Sequence, residues 1–412
     1  MVDLPLKGIR VADFSRVFAV PACAQFLGDL GADVIKVEEP ARGDEARNFG
    51  VNAEQLAAAG GTSPSFHAFN RNKRSITIDL KSDAGREAAR LLIDRSDVLL
   101  HNFRIGAMEK FGLGYDVVRQ TNPRLIYAAF SAYGPSGELA KIGANDLALQ
   151  AHSGLLHLTG EADRPPVRVG TAAIDLHAGM ALGAGVLAAL FQRERTGAGQ
   201  FVESSLLRGA AHLMSYFYSE YWMTGMERQR MGTANHLSVP NQVFPTMDGY
   251  VVLIAPSDEM WRRLAQALDA EALDRPEFST ILDRQKNRGA VVEALTQVTK
   301  TRSSDDLISV LGAVKVNVAR VNSIAEAADD PQLAAIGGVL EISGAAGKTR
   351  AVGPPVVLSE AADICHRPAP QLGAHTAEVM SEIGLNAAVY SRLAKAGAFG
   401  EPEGSSKQIG LK

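Results

Sequence analysis

Gly8-Ile9-Arg10-Val11-Ala12-Asp13-Phe14, followed by Pro21 through Leu30 with Gly31, and then Ala32-Asp33-Val34-Ile35-Lys36-Val37-Glu38, is the stretch that decides the fold. The outer runs read as short strands. The middle run reads as a helix, with proline in its first turn and glycine just past its end. Strand, helix and strand of this length make a βαβ unit, whose strands run parallel through a right-handed crossover. The intervening Ser15-Arg16-Val17-Phe18-Ala19-Val20 carries no GxGxxG pattern, so a nicotinamide dinucleotide is not indicated.

The pattern recurs downstream. Ser75–Leu80, Asp97–Phe103, Leu125–Phe130 and Phe201–Leu206 read as strands. Helices are expected at Ser82–Asp94, up to Phe111, and at Asn145–Gly154. Alternation of this kind predicts an α/β fold: an open, mainly parallel sheet with helices on both faces. Ligands of such sheets bind beyond the carboxyl ends of the strands. The nearby Arg16, Arg71, Asn102, Arg104 and Tyr133 are therefore site candidates.

Asp175 stands apart, as a single carboxylate in the small and apolar run Arg168–Gly179. Behind it, Gly179–Leu190 reads as a helix whose small residues suit close packing. The residues alone leave two roles open: an N-cap for that helix, or a nucleophile that forms a covalent intermediate. Leu207 to about Thr224 reads as one long helix with an aromatic face, suited to a core or a subunit interface.

With 412 residues the chain exceeds one ordinary core. A first part of a large domain (1–224), a smaller α/β domain (225–335) and a returning C-terminal segment (336–412) are expected. The smaller domain should hold a hairpin around Asp248-Gly249 and helices at Ser257–Leu268, Arg288–Val298 and Ser304–Leu311. A second hairpin is expected at Val339–Ser343 and Thr349–Val352, and helices at Ala374–Leu385 and Ala387–Ala396. The tail from Gly400 is expected to be loosely ordered. Hydrophobic residues make up 46% and charged residues 21%, with a net charge of −4. That balance gives no electrostatic case for nucleic acid or an anionic membrane. No run approaches the ~18 apolar residues of a membrane span, the helix after Gly179 being short and glycine-rich. No His/Cys spacing suggests a metal. Cys23 and Cys365 read as buried thiols rather than a disulfide framework. A cytoplasmic protein is expected.

Several stretches together resemble one family, the class III, formyl-CoA transferase-like CoA-transferases, whose fold α-methylacyl-CoA racemases share. Among them are Pro5–Val11, Pro21–Glu38, Gly43-Asp44 with Arg47, Asn70–Ser75 and Asn102–Gly106. Asn122–Tyr127, Ser131–Gly134, Pro165–Gly170, Arg193–Gly197 with Gly199-Gln200, and Leu372–Thr376 complete the set. The resemblance spans essentially the whole chain. It implies that Asp175 is the nucleophile, with backbone N–H groups near a helix start stabilising the oxyanion. It implies CoA contacts at Phe18, Ala19, Leu80, Lys81, Asn102, Phe103, Lys110 and Asn145, and an interlocked homodimer. No cofactor is expected to stay bound; the CoA thioester is a substrate. One basic CoA contact of the family is Glu39 here, and Arg47 or Arg74 is the expected compensation.

The racemase branch opens a helix with a His-Asp pair where this chain has Asn145-Asp146. An amide has no usable proton-transfer pKa, so transfer is favoured over racemisation or epimerisation. A non-catalytic acyl-CoA-binding homologue is the third alternative. Gly232–His236 with Val239-Pro240 and the Asp248-Gly249 turn resembles the branch that handles dicarboxylic acids, with succinyl-CoA as a donor. Arg16, Arg47 and Arg71 are the candidates for pairing with the distal carboxylate.

Overall fold

The computed structural model describes residues 3–50, 52–58, 61–344, 347–362 and 364–400. The expectation of a loose tail falls on residues 401–412, outside the described residues. The chain forms two compact units. The larger combines Met1–Ser153, Gly170–Met223 and Gly337–Lys412; the smaller combines Gly154–Val169 and Thr224–Ile336.

The larger unit is built on six strands: β1 (Arg10–Asp13), β2 (Asp33–Glu38), β3 (Lys73–Thr77), β4 (Val98–His101), β5 (Ile126–Ser131) and β6 (Phe201–Ser205). Their order is β3-β2-β1-β4-β5-β6, and all neighbouring pairs are parallel. Val11, Ala12, Val34, Ile35, Val98, Leu99, Ile126 and Ala128 are fully buried, as strands covered on both faces require. The strand order reverses between β1 and β4, and this switch point opens a crevice at their carboxyl ends.

β3 starts two residues before the expected Ser75, because charged residues enter the sheet. Lys73 is buried and donates to Asp13 (3.0 Å), Asn70 (2.9 Å) and the Pro21 carbonyl (3.0 Å). These partners compensate its burial, which local composition could not disclose.

The helix expected from Gly179 runs from Ala173 to Thr196. It is long and apolar enough to cross a membrane by length and composition, contrary to the sequence reading. Here its small residues face the Ala19–Asp29 helix. A Cβ at Gly179 would lie 2.1 Å from the Ala19 carbonyl oxygen, so only glycine permits the approach. The expected Leu207–Thr224 helix is two, Leu206–Leu213 and Ser215–Thr224. Hydrogen bonds from Met214 N–H to Ala210 O and from Tyr218 N–H to Met214 O continue across the break, which is therefore a bend. The aromatic face is not core within one chain: Tyr216, Tyr221 and Trp222 are exposed. Cys23 is buried, but Cys365 is exposed rather than buried as expected.

The Val339–Gly344 and Gly347–Val352 hairpin and the helices Thr376–Glu382 and Ala387–Lys395 belong to the larger unit. Val379, Met380 and Leu393 pack into its core beside Leu92 and Ile93. The smaller unit has an antiparallel sheet of Asn241–Pro245, Tyr250–Ile254 and Asn317–Arg320. The turn is anchored by Asp248, whose carboxylate accepts the Ser304 N–H at 2.8 Å. Trp261, Leu264, Phe278, Leu295 and Leu307 form its core. Gly154–Val169, expected in the large domain, joins this unit instead. The Gly232 N–H bonds to Gly160 O at 2.8 Å, and Arg230 donates to the His157 carbonyl at 3.0 Å.

Candidate active site

Two adjoining clefts open at the carboxyl ends of the parallel strands, both within the larger unit. The first, of about 310 Å³, is lined by Glu39 after β2, Leu80 and Lys81 after β3, and Phe103 after β4. The second, of about 220 Å³, is lined by Phe18, Ala19, Asn102, Lys141, Asn145 and Asp175, among others. Arg16, Phe103 and Arg104 line both clefts and mark where they meet. The Arg16 guanidinium lies 5.3 Å from the Phe103 ring centroid.

Asp175 is the third residue of the Ala173–Thr196 helix. It is not the N-cap. The capping position is Ala172, whose side chain makes no cap hydrogen bond. The cap comes from elsewhere: the Asp146 carboxylate accepts the N–H of Ile174 (2.8 Å) and of Asp175 (3.2 Å). Gln150 donates to the other Asp146 oxygen. With the helix start satisfied by Asp146, the Asp175 carboxylate is released to the cleft. Burial, reinforced by the neighbouring Asp146 charge, pushes Asp175 up to about 7. Such a group is ionised in good part at neutral pH and is more basic than an ordinary carboxylate.

Asn145 opens the Asp146–His152 helix, and its side-chain oxygen accepts the Ala148 N–H at 3.1 Å. Asn102 bridges the switch point: its oxygen accepts the Arg16 N–H (3.0 Å) and its amide donates to the Arg16 carbonyl (2.8 Å). The Ala19–Asp29 helix begins at the same cleft with no side chain capping it.

The family model of CoA-transferase family III matches residues 6–376. The chain belongs to CoA-transferase family III. It is 34% identical to the succinate–glutarate CoA-transferase of Agrobacterium fabrum, over 92% of this chain and 96% of that one. It is 32% identical to the succinyl-CoA:glutarate CoA-transferase of Homo sapiens, over 92% of this chain and 86% of that one. The crystal structure of a CAIB/BAIF family protein from Brucella suis superposes with a TM-score of 0.84 at 33% identity, covering 93% of this chain and 100% of that one.

Of the CoA-transferase positions read from sequence, Phe18, Ala19, Asn102, Asn145 and Asp175 line one cleft and Leu80 and Lys81 the other, with Phe103 shared. Lys110 is exposed and lines neither. Tyr133 stacks edge-on against His152, 5.2 Å between centroids, and also lies outside both. Arg16 is at the junction. Arg47 and Arg71 are not available to substrate, because buried carboxylates hold them. Arg47 forms a bidentate pair with Glu38 at 2.7 Å and 2.7 Å, 3.9 Å from the Phe66 centroid. Arg71 pairs with Asp29 and donates to the Val352 carbonyl at 2.8 Å. Arg74 is spent on Asp33, Glu378 and Glu382, so neither Arg47 nor Arg74 offsets Glu39. The cations in the Glu39 cleft are Arg16, Lys81 and Arg104. Sequence reading missed Asp146 as the cap of the Asp175 helix, although the Asn145-Asp146 pair drew attention to the position. It also missed Lys141, for which the sequence offered no signal. The N–H groups of Ile174 and Asp175 are occupied by Asp146, so that helix start offers neither of them to a ligand.

Proposed function

We propose that the protein moves CoA from succinyl-CoA, or another dicarboxyl-CoA, to a free dicarboxylic acid through covalent intermediates on Asp175. The observation that carries this reading is a half-buried carboxylate, Asp175, freed from capping its own helix and lining a cleft at the switch point of the sheet. The glutarate transferases described above, which the chain covers almost completely, support the substrate class.

Asp175 attacks the thioester carbonyl; the C–S bond breaks, leaving an aspartyl–acyl anhydride and CoA thiolate. The thiolate attacks the Asp175 carbonyl carbon, releasing the donor acid and forming an aspartyl-CoA thioester. The acceptor carboxylate attacks that thioester and expels the thiolate, giving a second anhydride. Thiolate attack on the acceptor's carbonyl then yields the new acyl-CoA and restores Asp175. Each step exchanges groups of similar transfer potential. The Ala19 and Val20 N–H groups, at the start of the Ala19–Asp29 helix, are the oxyanion donors in this reading, since Pro21 has none and the Ala22 N–H bonds to the Phe18 carbonyl. Burial keeps water from the anhydride. CoA lies along the cleft of Leu80, Lys81 and Phe103. Arg16, Arg104 and Lys141 pair with the distal carboxylate.

The active form in this reading is a homodimer, in which a second copy covers Tyr216, Tyr221 and Trp222. The free, exposed Cys365 suits a reducing, cytoplasmic setting. The test is chromatography after incubation with succinyl-CoA and glutarate, mesaconate, oxalate or acetate. New dicarboxyl-CoA should form one-for-one with succinate, and Asp175→Ala should abolish it. Hydrolysis alone, or α-proton exchange without any acceptor, would contradict the reading.

A further inference from the structure

The loop from Ser15 to Phe18 joins β1 to the Ala19–Asp29 helix and lines the Asp175 cleft through Arg16, Val17 and Phe18. Val17 has φ +70°. A β-branched residue in the left-handed region is a genuine outlier, sustained only where its surroundings over-determine it.

The surroundings do so from two sides. The Val17 N–H donates to both Asp44 carboxylate oxygens, at 3.1 and 3.3 Å. Asp44 is buried and receives Lys36 Nζ at 2.8 Å and the Ala46 N–H at 2.9 Å. The same Lys36 ammonium donates to the Ser15 carbonyl at 3.0 Å. From β4, Asn102 holds both the N–H and the carbonyl of Arg16. A fully buried ion pair is weak evidence of stabilisation, since apolar residues of like volume usually serve a core as well. An apolar pair could not accept the Val17 N–H.

We propose that Asp44 is a positioning residue for acyl transfer: its carboxylate locks Val17 in the left-handed conformation and so fixes Arg16, Phe18 and Ala19 against the thioester. The proposal rests on the reading of Asp175 as nucleophile.

The test is a mutant cycle. Asp44→Asn keeps the shape but removes the charge that Lys36 holds; Asp44→Glu keeps the charge but displaces the oxygens, and serves if the first variant fails to fold. Each is combined with Val17→Gly, because glycine adopts the left-handed region without a clamp. kcat and KM for CoA transfer are measured per folded enzyme, and deuterium uptake is followed in the peptide spanning residues 13–20 without substrate. With valine at 17, each Asp44 variant should lower kcat/KM by about five- to thirtyfold, the factor set by the cost of holding an L-residue left-handed. Uptake at Val17 should rise. With glycine at 17, the loss should shrink to about threefold or less. Equal losses in both backgrounds, or unchanged uptake in the Asp44 variants, would overturn the proposal. A wild-type enzyme that forms no Asp175 adduct would instead refute the nucleophile reading, which the uptake measurement does not depend on.

Discussion

Asp175→Asn should inactivate the enzyme and at the same time stabilise it above neutral pH. Burial, and secondarily Asp146, pushes the folded-state value of Asp175 up to about 7 from an ordinary 3.8. Between those values the folded protein binds more protons than the unfolded chain, so Asp175 lowers stability as pH rises. No penalty exists below about pH 4, and the full penalty is present above about pH 7. At about 1.36 kcal/mol per unit, the penalty is on the order of 4 kcal/mol at pH 8 and less than half that at pH 5. Asparagine has the same shape and no charge to desolvate. Denaturant unfolding of wild type and Asp175→Asn at pH 5 and 8 reads the difference directly. The variant's advantage should widen by about 2–3 kcal/mol between the two pH values. An advantage that is absent, or the same at both, would refute the desolvated carboxylate.

Asp146→Asn removes the second cause of that shift, so Asp175 ionises at lower pH. The acidic limb of adduct formation should move to lower pH in rapid-quench experiments; an unmoved limb would mean that Asp146 acts only as a cap. Arg104→Ala and Lys141→Ala should raise KM for dicarboxylic acceptors more than for monocarboxylic ones, and equal effects on both would remove these residues from distal-carboxylate recognition. Arg71→Ala leaves Asp29 buried without its guanidinium and should lower stability by about 3–5 kcal/mol, while KM of the folded fraction stays near wild type. Gly179→Ala places a methyl group 2.1 Å from the Ala19 carbonyl oxygen. It should lower unfolding stability by about 3 kcal/mol or more, as overpacking of a rigid backbone contact does.

The parallel sheet was legible because its strands are buried on both faces and read as apolar runs, with helices at regular intervals between them. Legibility failed wherever a charge is compensated from far along the chain. Lys73 looked like a loop residue because Asp13, sixty positions away, is invisible to local patterning. Arg47 and Arg71 looked free for substrate because their partners Glu38 and Asp29 precede them by 9 and 42 positions. The start of the Asp175 helix was placed too late for a related reason. Its cap is Asp146, 29 residues upstream, whereas Asp175 itself reads locally as an N-cap and draws the start past it. Asp175 is conspicuous in the sequence as a lone carboxylate among small apolar residues, which leaves cap and nucleophile both open; only the family resemblance favours the second. The Val17–Asp44 clamp left no trace in the sequence, since a left-handed valine is recognised only from its dihedral angle.

The most direct test of the central claim is mass spectrometry of wild type and Asp175→Ala after incubation with succinyl-CoA and trapping with hydroxylamine or borohydride. A modification confined to the Asp175 peptide of the wild type, and absent from the variant, is the predicted result. Sustained CoA transfer by the Asp175→Ala variant, or a trapped adduct on a different residue, would contradict it.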